Sequence, residues 1–289
     1  GYVGLIEGLV RRLRNELGSA PVDLSDEEIL VTVAGVFYTM NVQTNELGDG
    51  WRMNIAPLTR PILVHDNIVT SDAVTRLASM DMVKKEPVWM VNANGTVINR
   101  PQYVDDTIYA AGFRGDLVSL EADAGGERWR WAPPEPALLS TGVAVKDGTV
   151  YVGDLQGYIY ALDTGTGQVQ WQQIGELALH GQPVAAADKV LFLSRGRTPK
   201  LVCMDADAEG DKVAWKLEGV TRIVTTGRER VYVMDEENTL SAVELETGEV
   251  EWKDRLPDDV SVTGGEPGGG VLYLGNLDGV TVAIGEIQD

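Results

Sequence analysis

Six of the seven tryptophans recur along this chain at a nearly constant interval. They stand 38, 40, 42, 44 and 37 residues apart. A period of about 40 residues with strand-rich segments between the markers is typical of a unit that buries its faces only by stacking on its neighbours, as propeller blades do. The period therefore predicts a repeated all-β architecture. The six are Trp51, Trp89, Trp129, Trp171, Trp215 and Trp252.

The clearest copy of the repeat spans residues 150–171 and predicts three strands joined by two turns. Apolar residues alternate with small or polar ones up to the first turn at 154–157, and the returning strand follows. Gly167 supplies the positive φ that the second, tight turn needs. Because Ala161 is small where blades face each other, we expect the indole of Trp171 to cross that boundary and be buried against a neighbour.

Other copies repeat this spacing of small residue, acidic residue, glycine and tryptophan to different degrees. Two do so without a gap, one ending at Trp129 and one at Trp252. The copy ending at Trp89 has Lys85 in place of the glycine, the copy ending at Trp215 has two extra residues in its turn, and the copy at Trp51 is the most degenerate. We therefore predict that the six tryptophans dock neighbouring blades together with Gly125, Gly167 and Gly248.

The last copy, which ends near residue 284, repeats only the first two strands. An open edge presents unpaired backbone groups, and propellers commonly avoid one by adding an N-terminal strand to the last blade. The candidates are residues 2–9 and 29–37, the second being richer in β-branched residues. The predicted fold is an all-β propeller of about seven four-stranded blades, the last closed by an N-terminal strand. Eight blades stay open as an alternative until residues 1–35 are placed.

The N-terminal segment has helical periodicity instead. Apolar residues recur at spacings of three and four, and arginines take the other face. This predicts a short amphipathic helix, so we divide the chain into an N-terminal amphipathic segment, 1–28, and a single propeller domain, 29–289. The helix packs on its own propeller or docks a partner. The candidate partner-docking residues are Val3, Ile6, Val10, Arg11, Arg12 and Leu13.

The charge of the chain excludes some partner classes. With 44 acidic and 24 basic residues, the net charge is -20. Such a surface repels nucleic-acid backbones and anionic membranes, so we expect no nucleic-acid partner. No apolar run has the length of a bilayer span, so we predict no transmembrane segment in this chain.

Side chains that could carry chemistry are few. His65 and His180 are the only histidines, and neither stands at metal-ligand spacing from a second ligand type. Residues 205–211 imitate the opening of a calcium loop, but its twelfth position is Lys216, so we interpret them as a lengthened turn. Cys203 occupies the small-residue position of its copy and is expected to act as a compact hydrophobe. We assign no catalytic, cofactor-binding or metal-binding residues.

The signature A-x-D-x-x-x-G-x-x-x-W, best matched from Ala161 to Trp171, resembles the quinoprotein-type β-propeller repeats. The resemblance covers about residues 36–284. One branch of that family holds pyrroloquinoline quinone (PQQ) under a vicinal disulfide, which a chain with a single cysteine cannot form. The resemblance therefore implies the non-catalytic branch of PQQ-like propellers, which includes the lipoprotein subunit of the machine that inserts outer-membrane β-barrels, and it implies no cofactor.

From this resemblance we expect a non-enzymatic scaffold for protein–protein interaction, an accessory subunit of a membrane-associated complex of the bacterial cell envelope. Its partners would be other proteins of that complex, with no small-molecule ligand. The resemblance also implies an exported, periplasmic or envelope-associated protein, with a lipid anchor upstream as one form. The alternative is a small-molecule or quinone-binding propeller of the oxidoreductase type with an axial pocket. A third possibility is that the chain is the sensor or docking portion of a larger polypeptide.

Overall fold

The computed structural model describes residues 22–285 with short gaps, and every regular element in it is a β-strand. In that part of the chain, no helix has the length and hydropathy needed to cross a membrane. The predicted N-terminal helix, with its candidate docking residues from Val3 to Leu13, lies outside the described residues. The residues left undescribed are 1–21, 26, 34–35, 42, 45, 53–58, 60, 73, 177, 265–267, 277–280 and 286–289.

Twenty-six strands follow one another along the described part of the chain. They are β1 (Val22–Asp23), β2 (Glu28–Val33), β3 (Val36–Asn41), β4 (Ile62–Val64), β5 (Asn67–Ser71), β6 (Arg76–Asp81), β7 (Glu86–Asn92), β8 (Gln102–Val104), β9 (Thr107–Ala111), β10 (Leu117–Glu121), β11 (Glu127–Trp131), β12 (Leu139–Lys146), β13 (Thr149–Asp154), β14 (Tyr158–Asp163), β15 (Val169–Ile174), β16 (Leu179–Ala186), β17 (Lys189–Ser194), β18 (Lys200–Asp205), β19 (Val213–Glu218), β20 (Val220–Thr226), β21 (Arg230–Asp235), β22 (Thr239–Glu244), β23 (Val250–Arg255), β24 (Val260–Gly264), β25 (Val271–Asn276) and β26 (Thr281–Gly285).

The chain forms two compact units. The first comprises residues 1–152 and 161–170, and the second comprises residues 153–160 and 171–289. The division passes through β13, β14 and β15, which contribute to both units. The first unit contains the sheets β1–β3, β4–β7 and β8–β11, and the second contains β16–β19, β20–β23 and β24–β26.

In the three- and four-stranded sheets, successive strands pair as antiparallel meanders, so strand order follows order in the chain. Burial falls from the inner to the outer strands. In the β8–β11 sheet, the strand β9 is buried throughout, whereas the first two residues of β11 are exposed. Strands covered on both faces read as continuous apolar runs, which is why β9 and β17 lack the polar alternation of a half-exposed strand.

One expectation about the N-terminal strands is corrected. Residues 29–37 were a candidate for a single strand added to the last blade, but they span parts of two strands, β2 and β3. Val33 and Val36 are register partners, so the chain reverses between them and the two strands form a hairpin. The pairing of Val22 with Leu30 adds β1 to the same sheet. The other candidate, residues 2–9, lies outside the described residues.

The fourth strand of a repeat pairs with its third strand in the same irregular way in several sheets. Trp89, Trp129, Trp215 and Trp252 are register partners of Ser79, Ser119, Cys203 and Ala242. The register shifts immediately after each of these small residues. A bulge at that point turns the strand and re-aims its side chains. The small residue and the tryptophan of the sequence signature thus lie side by side at a bulge.

The cores lie between neighbouring sheets. One cluster joins Ile62 and Leu77 of the β4–β7 sheet to Ile108 and Leu120 of the β8–β11 sheet. In the second unit another joins Leu191 of β17 to Val231 of β21. Each fully buried aliphatic side chain contributes about 1.5–3 kcal/mol relative to exposure. No sheet buries both its faces alone, so neighbouring sheets stabilise one another.

Candidate interaction surface

Three of the predicted docking tryptophans lie on a glycine of the neighbouring sheet. A Cβ on Gly125 would stand 2.6 Å from the ring of Trp89, and the same distance separates Gly167 from Trp129. In the second unit, a Cβ on Gly248 would stand 2.6 Å from the ring of Trp215. Each glycine also has a positive φ, so both space and backbone conformation demand glycine. We call each such boundary between sheets a seam.

The same three indoles hydrogen-bond across their seams. Trp89 Nε1 donates to the carbonyl oxygen of Ala122 at 3.0 Å and Trp129 Nε1 to that of Thr164 at 2.8 Å. Trp215 Nε1 donates to the carbonyl oxygen of Leu245 at 2.8 Å. In every case the acceptor is the residue three positions before the glycine. The indole is therefore fixed at both its apolar face and its polar end.

The other three predicted docking residues have different surroundings. Trp51 pairs with Phe37, with ring centroids 4.8 Å apart in a stacked arrangement, and is almost fully buried. Trp171 has the ammonium of Lys212 5.5 Å from its ring centroid. Trp252 is 42% exposed and approaches Tyr232 at 6.3 Å. The described residues place no glycine Cβ position against any of these three rings.

Side-chain charges reinforce two of the seams. His65 Nδ1 lies 2.9 Å from an oxygen of Asp123, the residue after Ala122. In the second unit, Lys189 Nζ lies 3.0 Å from Glu246, the residue after Leu245. Burial opposes the charge of Lys189, but the hydrogen bonds that its ammonium donates to Asp188, Glu246 and Asp205 outweigh that effect and hold its pKa above the usual value.

The remaining seam, between Trp129 and Gly167, has a cavity in place of such an ion pair. A cavity of about 480 Å³ is lined by side chains of the β8–β9, β12–β13 and β14–β15 segments. Tyr109 borders it and donates from its hydroxyl to the carbonyl oxygen of Thr164 at 3.3 Å. Both acidic and basic groups line the space, namely Asp105 and Asp147 together with Arg128 and Lys146. This mixture does not define a single ligand charge.

Acidic residues in the turns serve the backbone. Asp154 is fully buried, and its carboxylate accepts hydrogen bonds from the Tyr158 amide at 2.8 Å and the Tyr160 hydroxyl at 2.9 Å. Asp205 Oδ1 accepts from the amides of Asp207 and Ala208, both at 3.0 Å. Within the described ranges, no three His, Cys, Asp or Glu side chains are grouped to hold a metal ion.

Cys203 is fully buried, and His180 is half-buried. Desolvation raises the pKa of the Cys203 thiol to about 12. Desolvation also lowers the pKa of His180, and the charge of Arg195 adds to the effect. The Cys203 thiol is therefore not poised for nucleophilic attack near neutral pH.

An exposed apolar patch lies in the first unit, on the connections that follow β5, β7 and β9. Val74 follows β5 and is 63% exposed, and Ile98 follows β7 and is 46% exposed. Half-buried Phe113 follows β9, with the guanidinium of Arg114 5.4 Å from its ring centroid. Thr96, two residues before Ile98, links Val74 to Phe113, because its hydroxyl donates to the Val74 carbonyl at 2.5 Å and its carbonyl accepts from the Phe113 amide at 2.8 Å. We call these five residues the loop patch.

Glycines hold the loop patch in place by close backbone contact. A Cβ on Gly95 would stand 2.7 Å from the Phe113 carbonyl oxygen, and one on Gly115 would stand 2.7 Å from the Gly95 nitrogen. A Cβ on Gly112 would stand 2.9 Å from the Gly95 carbonyl oxygen. Because each obstacle is backbone, no side-chain movement relieves it. The loops of two sheets are thus interlocked, and the exposed side chains stand on a fixed base.

Acidic groups near the loop patch are withdrawn from solvent. Asp72 is 2% exposed and pairs with Arg76 Nε at 2.5 Å. Asp116 pairs with Arg130 at 3.0 Å and accepts from Asn94 at 2.7 Å. On a chain with a net charge of -20, this surface therefore presents apolar groups and the cation of Arg114. Such exposed apolar groups rimmed by polar ones are typical of interaction sites.

The loop patch could not be recognised from the sequence. Its residues fall between copies of the signature, where neither period nor spacing marks them. A signal was present in the three glycines Gly95, Gly112 and Gly115, which stand outside the docking turns. Glycine in such connections indicates close backbone approach, but sequence alone does not say to what.

Comparisons with known proteins agree with the repeat. A family model described as outer membrane protein assembly factor BamB matches residues 41–254 and 156–284. The factor of that name from Escherichia coli K12 is 42% identical over 80 residues, which are 25% of this chain and 20% of that protein. The matched region thus spans about a fifth of the length of that curated relative.

Solved structures show the fold. The crystal structure of BamB from Moraxella catarrhalis matches with a TM-score of 0.72 at 17% identity, covering 93% of this chain and 85% of that one. The β-propeller domain of Myceliophteria thermophila Cps50 (Swd1) matches with a TM-score of 0.66 at 10% identity, covering 94% and 96%. The predicted all-β propeller of PQQ-like repeats is confirmed.

Proposed function

Because this chain belongs to the family of the outer membrane protein assembly factor BamB, we propose that it is an accessory subunit of an envelope complex and acts by binding other proteins. The loop patch is the observation that carries the binding role. It offers exposed apolar side chains on interlocked backbone, so little conformational entropy is lost when a partner covers it.

The chemistry of the loop patch defines the partner surface. Val74, Ile98 and Phe113 offer apolar contact, and Arg114 offers a guanidinium group that can bind a carboxylate through paired hydrogen bonds. We propose a partner that places apolar side chains on the first three and a carboxylate near Arg114. Aromatic residues and arginine are the types that most often dominate binding energy in interfaces.

The location of the protein is proposed from its family. The names of its relatives assign them to outer-membrane assembly, so we propose an exported, periplasmic or envelope-associated protein. A lipid anchor upstream and a contribution of Val3, Ile6, Val10, Arg11, Arg12 and Leu13 to partner docking belong to the same proposal. The docking contribution is tested by comparing partner co-purification with and without residues 1–20, and the anchor is tested by mass analysis of the native protein for a covalently attached lipid.

The loop patch is tested by replacing two of its apolar side chains with negatively charged ones. The double variant Val74→Asp and Ile98→Asp is compared with Val83→Asp, in which a still more exposed valine of the β6–β7 turn, 84% accessible, is changed. We expect the double variant to lose co-purification with outer-membrane assembly proteins of the same cell, and Val83→Asp to retain it. Circular dichroism checks that both remain folded.

Equal co-purification of both variants would remove the loop patch from the binding role. A folded wild-type protein that associates with no outer-membrane assembly protein would remove the accessory-subunit function itself.

A further inference from the structure

Two seams share one arrangement but differ in the cation that closes it. Trp89 donates to the Ala122 carbonyl, and the next residue, Asp123, meets His65. In the second unit, Trp215 donates to the Leu245 carbonyl, and the next residue, Glu246, meets Lys189. The protein thus contains a titratable and a permanently charged version of the same contact.

A third seam has the tryptophan contact without a cation. Trp129 donates to the Thr164 carbonyl, and the next residue is Gly165, which has no side chain to pair. The three seams therefore provide a histidine, a lysine and an unpaired form for comparison within one molecule.

Hydrogen-bond accounting at His65 requires two donors. Nδ1 lies 2.9 Å from a carboxylate oxygen of Asp123, which only accepts. Tyr103 donates its hydroxyl proton to Asp106 at 2.8 Å, so its oxygen must accept from His65 Nε2, 2.9 Å away. Nε2 also lies 3.3 Å from Asp106. A neutral imidazole has one N–H, and only the imidazolium satisfies every contact.

We propose that His65 is a proton-dependent clamp that closes the seam between the β4–β7 and β8–β11 sheets when its imidazole carries two protons. Protonated His65 joins the β4–β5 turn to Asp123 of the β10–β11 turn and to Tyr103 and Asp106 around the β8–β9 turn. Loss of the Nε2 proton leaves the Tyr103 hydroxyl, with its single proton, to serve either His65 Nε2 or Asp106 but not both, so one contact of the clamp is lost and the clamp opens.

The surroundings of His65 favour the charged form. Asp123 faces it from the β10–β11 turn, Tyr103 and Asp106 face it from the β8–β9 hairpin, and Asp105 and Asp66 stand in the adjoining turns. The hydrogen bond to Asp123 raises the pKa of His65, with the charges of Asp123 and Asp106 adding to the effect. The stabilisation is thus fully present below the unfolded pKa, 6.5, and is lost as pH rises through the higher folded pKa.

The clamp and the loop patch lie at opposite ends of the same strands. His65 precedes β5 and Val74 follows it, while Asp106 precedes β9 and Phe113 follows it. Both therefore bridge the same pair of sheets, and a seam tightened in acid also steadies the base of the loop patch.

The first test is a proton NMR titration of the imidazole signals, which is direct because the chain has two histidines. We expect the His65 midpoint to lie above 6.5 and to fall in Asp123→Asn, while the His180 midpoint stays unchanged. A His65 midpoint at or below 6.5, or one that Asp123→Asn leaves unchanged, would overturn the proposal.

The second test follows exchange of the indole N–H protons of Trp89, Trp129 and Trp215, below pH 6.5 and above the measured His65 midpoint. Trp129 and Trp215 serve as internal references that correct for the intrinsic pH dependence of exchange. We expect the rate ratio of Trp89 to Trp215 to rise roughly two- to five-fold at the higher pH, the range that exposed ion pairs support.

Two variants separate the clamp from a merely structural role. His65→Lys keeps a cation and should hold the ratio low at both pH values. The conformation suits lysine, since Lys85 already adopts φ 59 where His65 has φ 52. His65→Gln, which has no cation, should give the high Trp89-to-Trp215 exchange ratio at both pH values. If the wild-type ratio does not change with pH, or if His65→Lys behaves like the wild type, the clamp is refuted.

Discussion

The indole Nε1 of Trp129 donates a 2.8 Å hydrogen bond to the carbonyl oxygen of Thr164, 35 residues later in the chain. The ring of the same tryptophan covers Gly167, which has a positive φ of 68°. These contacts explain the spacing of the sequence signature. The turn that supplies the glycine also supplies the carbonyl, so both must recur once per sheet for the tryptophan of the preceding sheet to dock.

Trp129→Phe should destabilise the protein far more than Trp252→Phe. The first change removes the bond to Thr164 and part of a buried ring, and is expected to lower the free energy of unfolding by about 1–3 kcal/mol. Trp252 is 42% exposed, so its replacement should cost less than about 0.5 kcal/mol. Urea unfolding followed by far-UV circular dichroism measures both. Equal losses would contradict the difference in docking.

Gly248→Ala should be more damaging than Gly210→Ala. Both glycines have a positive φ, 76° and 78°, but only Gly248 lies against a tryptophan, while no atom stands within 4 Å of the Cβ position at Gly210. We expect about 1–2 kcal/mol for Gly210→Ala from backbone strain alone. Overlap with Trp215 should bring Gly248→Ala to about 2–5 kcal/mol. Denaturant midpoints of the two variants check the order.

Cys203 should be inert in the native protein. Desolvation raises its pKa to about 12, so the thiolate is scarce at pH 8 and the sulfur is buried. Ellman's reagent at pH 8 should label the native chain negligibly and the guanidinium-unfolded chain fully. Rapid native labelling would show that β18 opens more readily than its burial indicates.

Asp154→Ala should cost more than Asp154→Asn. Alanine leaves the Tyr158 amide and the Tyr160 hydroxyl without their buried acceptor, which is expected to lower the free energy of unfolding by about 2–5 kcal/mol. Asparagine keeps the acceptor for the amide and offers a donor to the hydroxyl oxygen, so about 1 kcal/mol is expected. Chemical denaturation of both variants supplies the measurement.

The repeated architecture could be predicted because its determinants are local in sequence. Gly167 and Trp171 stand at fixed distances from a small residue, and that spacing survives in Gly248 and Trp252. The N-terminal hairpin was harder, since a run of β-branched residues predicts a strand but does not say where Val33 and Val36 reverse it. The residues of a strand identify it as a strand, but they do not identify the strand with which it pairs.

The candidate surface could not be predicted for a different physical reason. Val74, Ile98 and Phe113 are ordinary apolar residues in sequence, and only the fold exposes them together. The His65 clamp is similar, because Asp123 follows it by 58 residues and Tyr103 by 38. Contacts across seams depend on how sheets stack, and no single repeat contains both partners.

The β18–β19 turn, with its two extra residues, makes a practical prediction about engineering. Gly210 has open space at its Cβ position, and the Trp215–Cys203 pairing beyond the turn keeps the register of the other copies. Exposed turns of this kind tolerate inserted sequence. A short affinity epitope or a fluorophore attachment site grafted at Gly210 should leave the remaining blades intact, so the protein could be tracked in living cells.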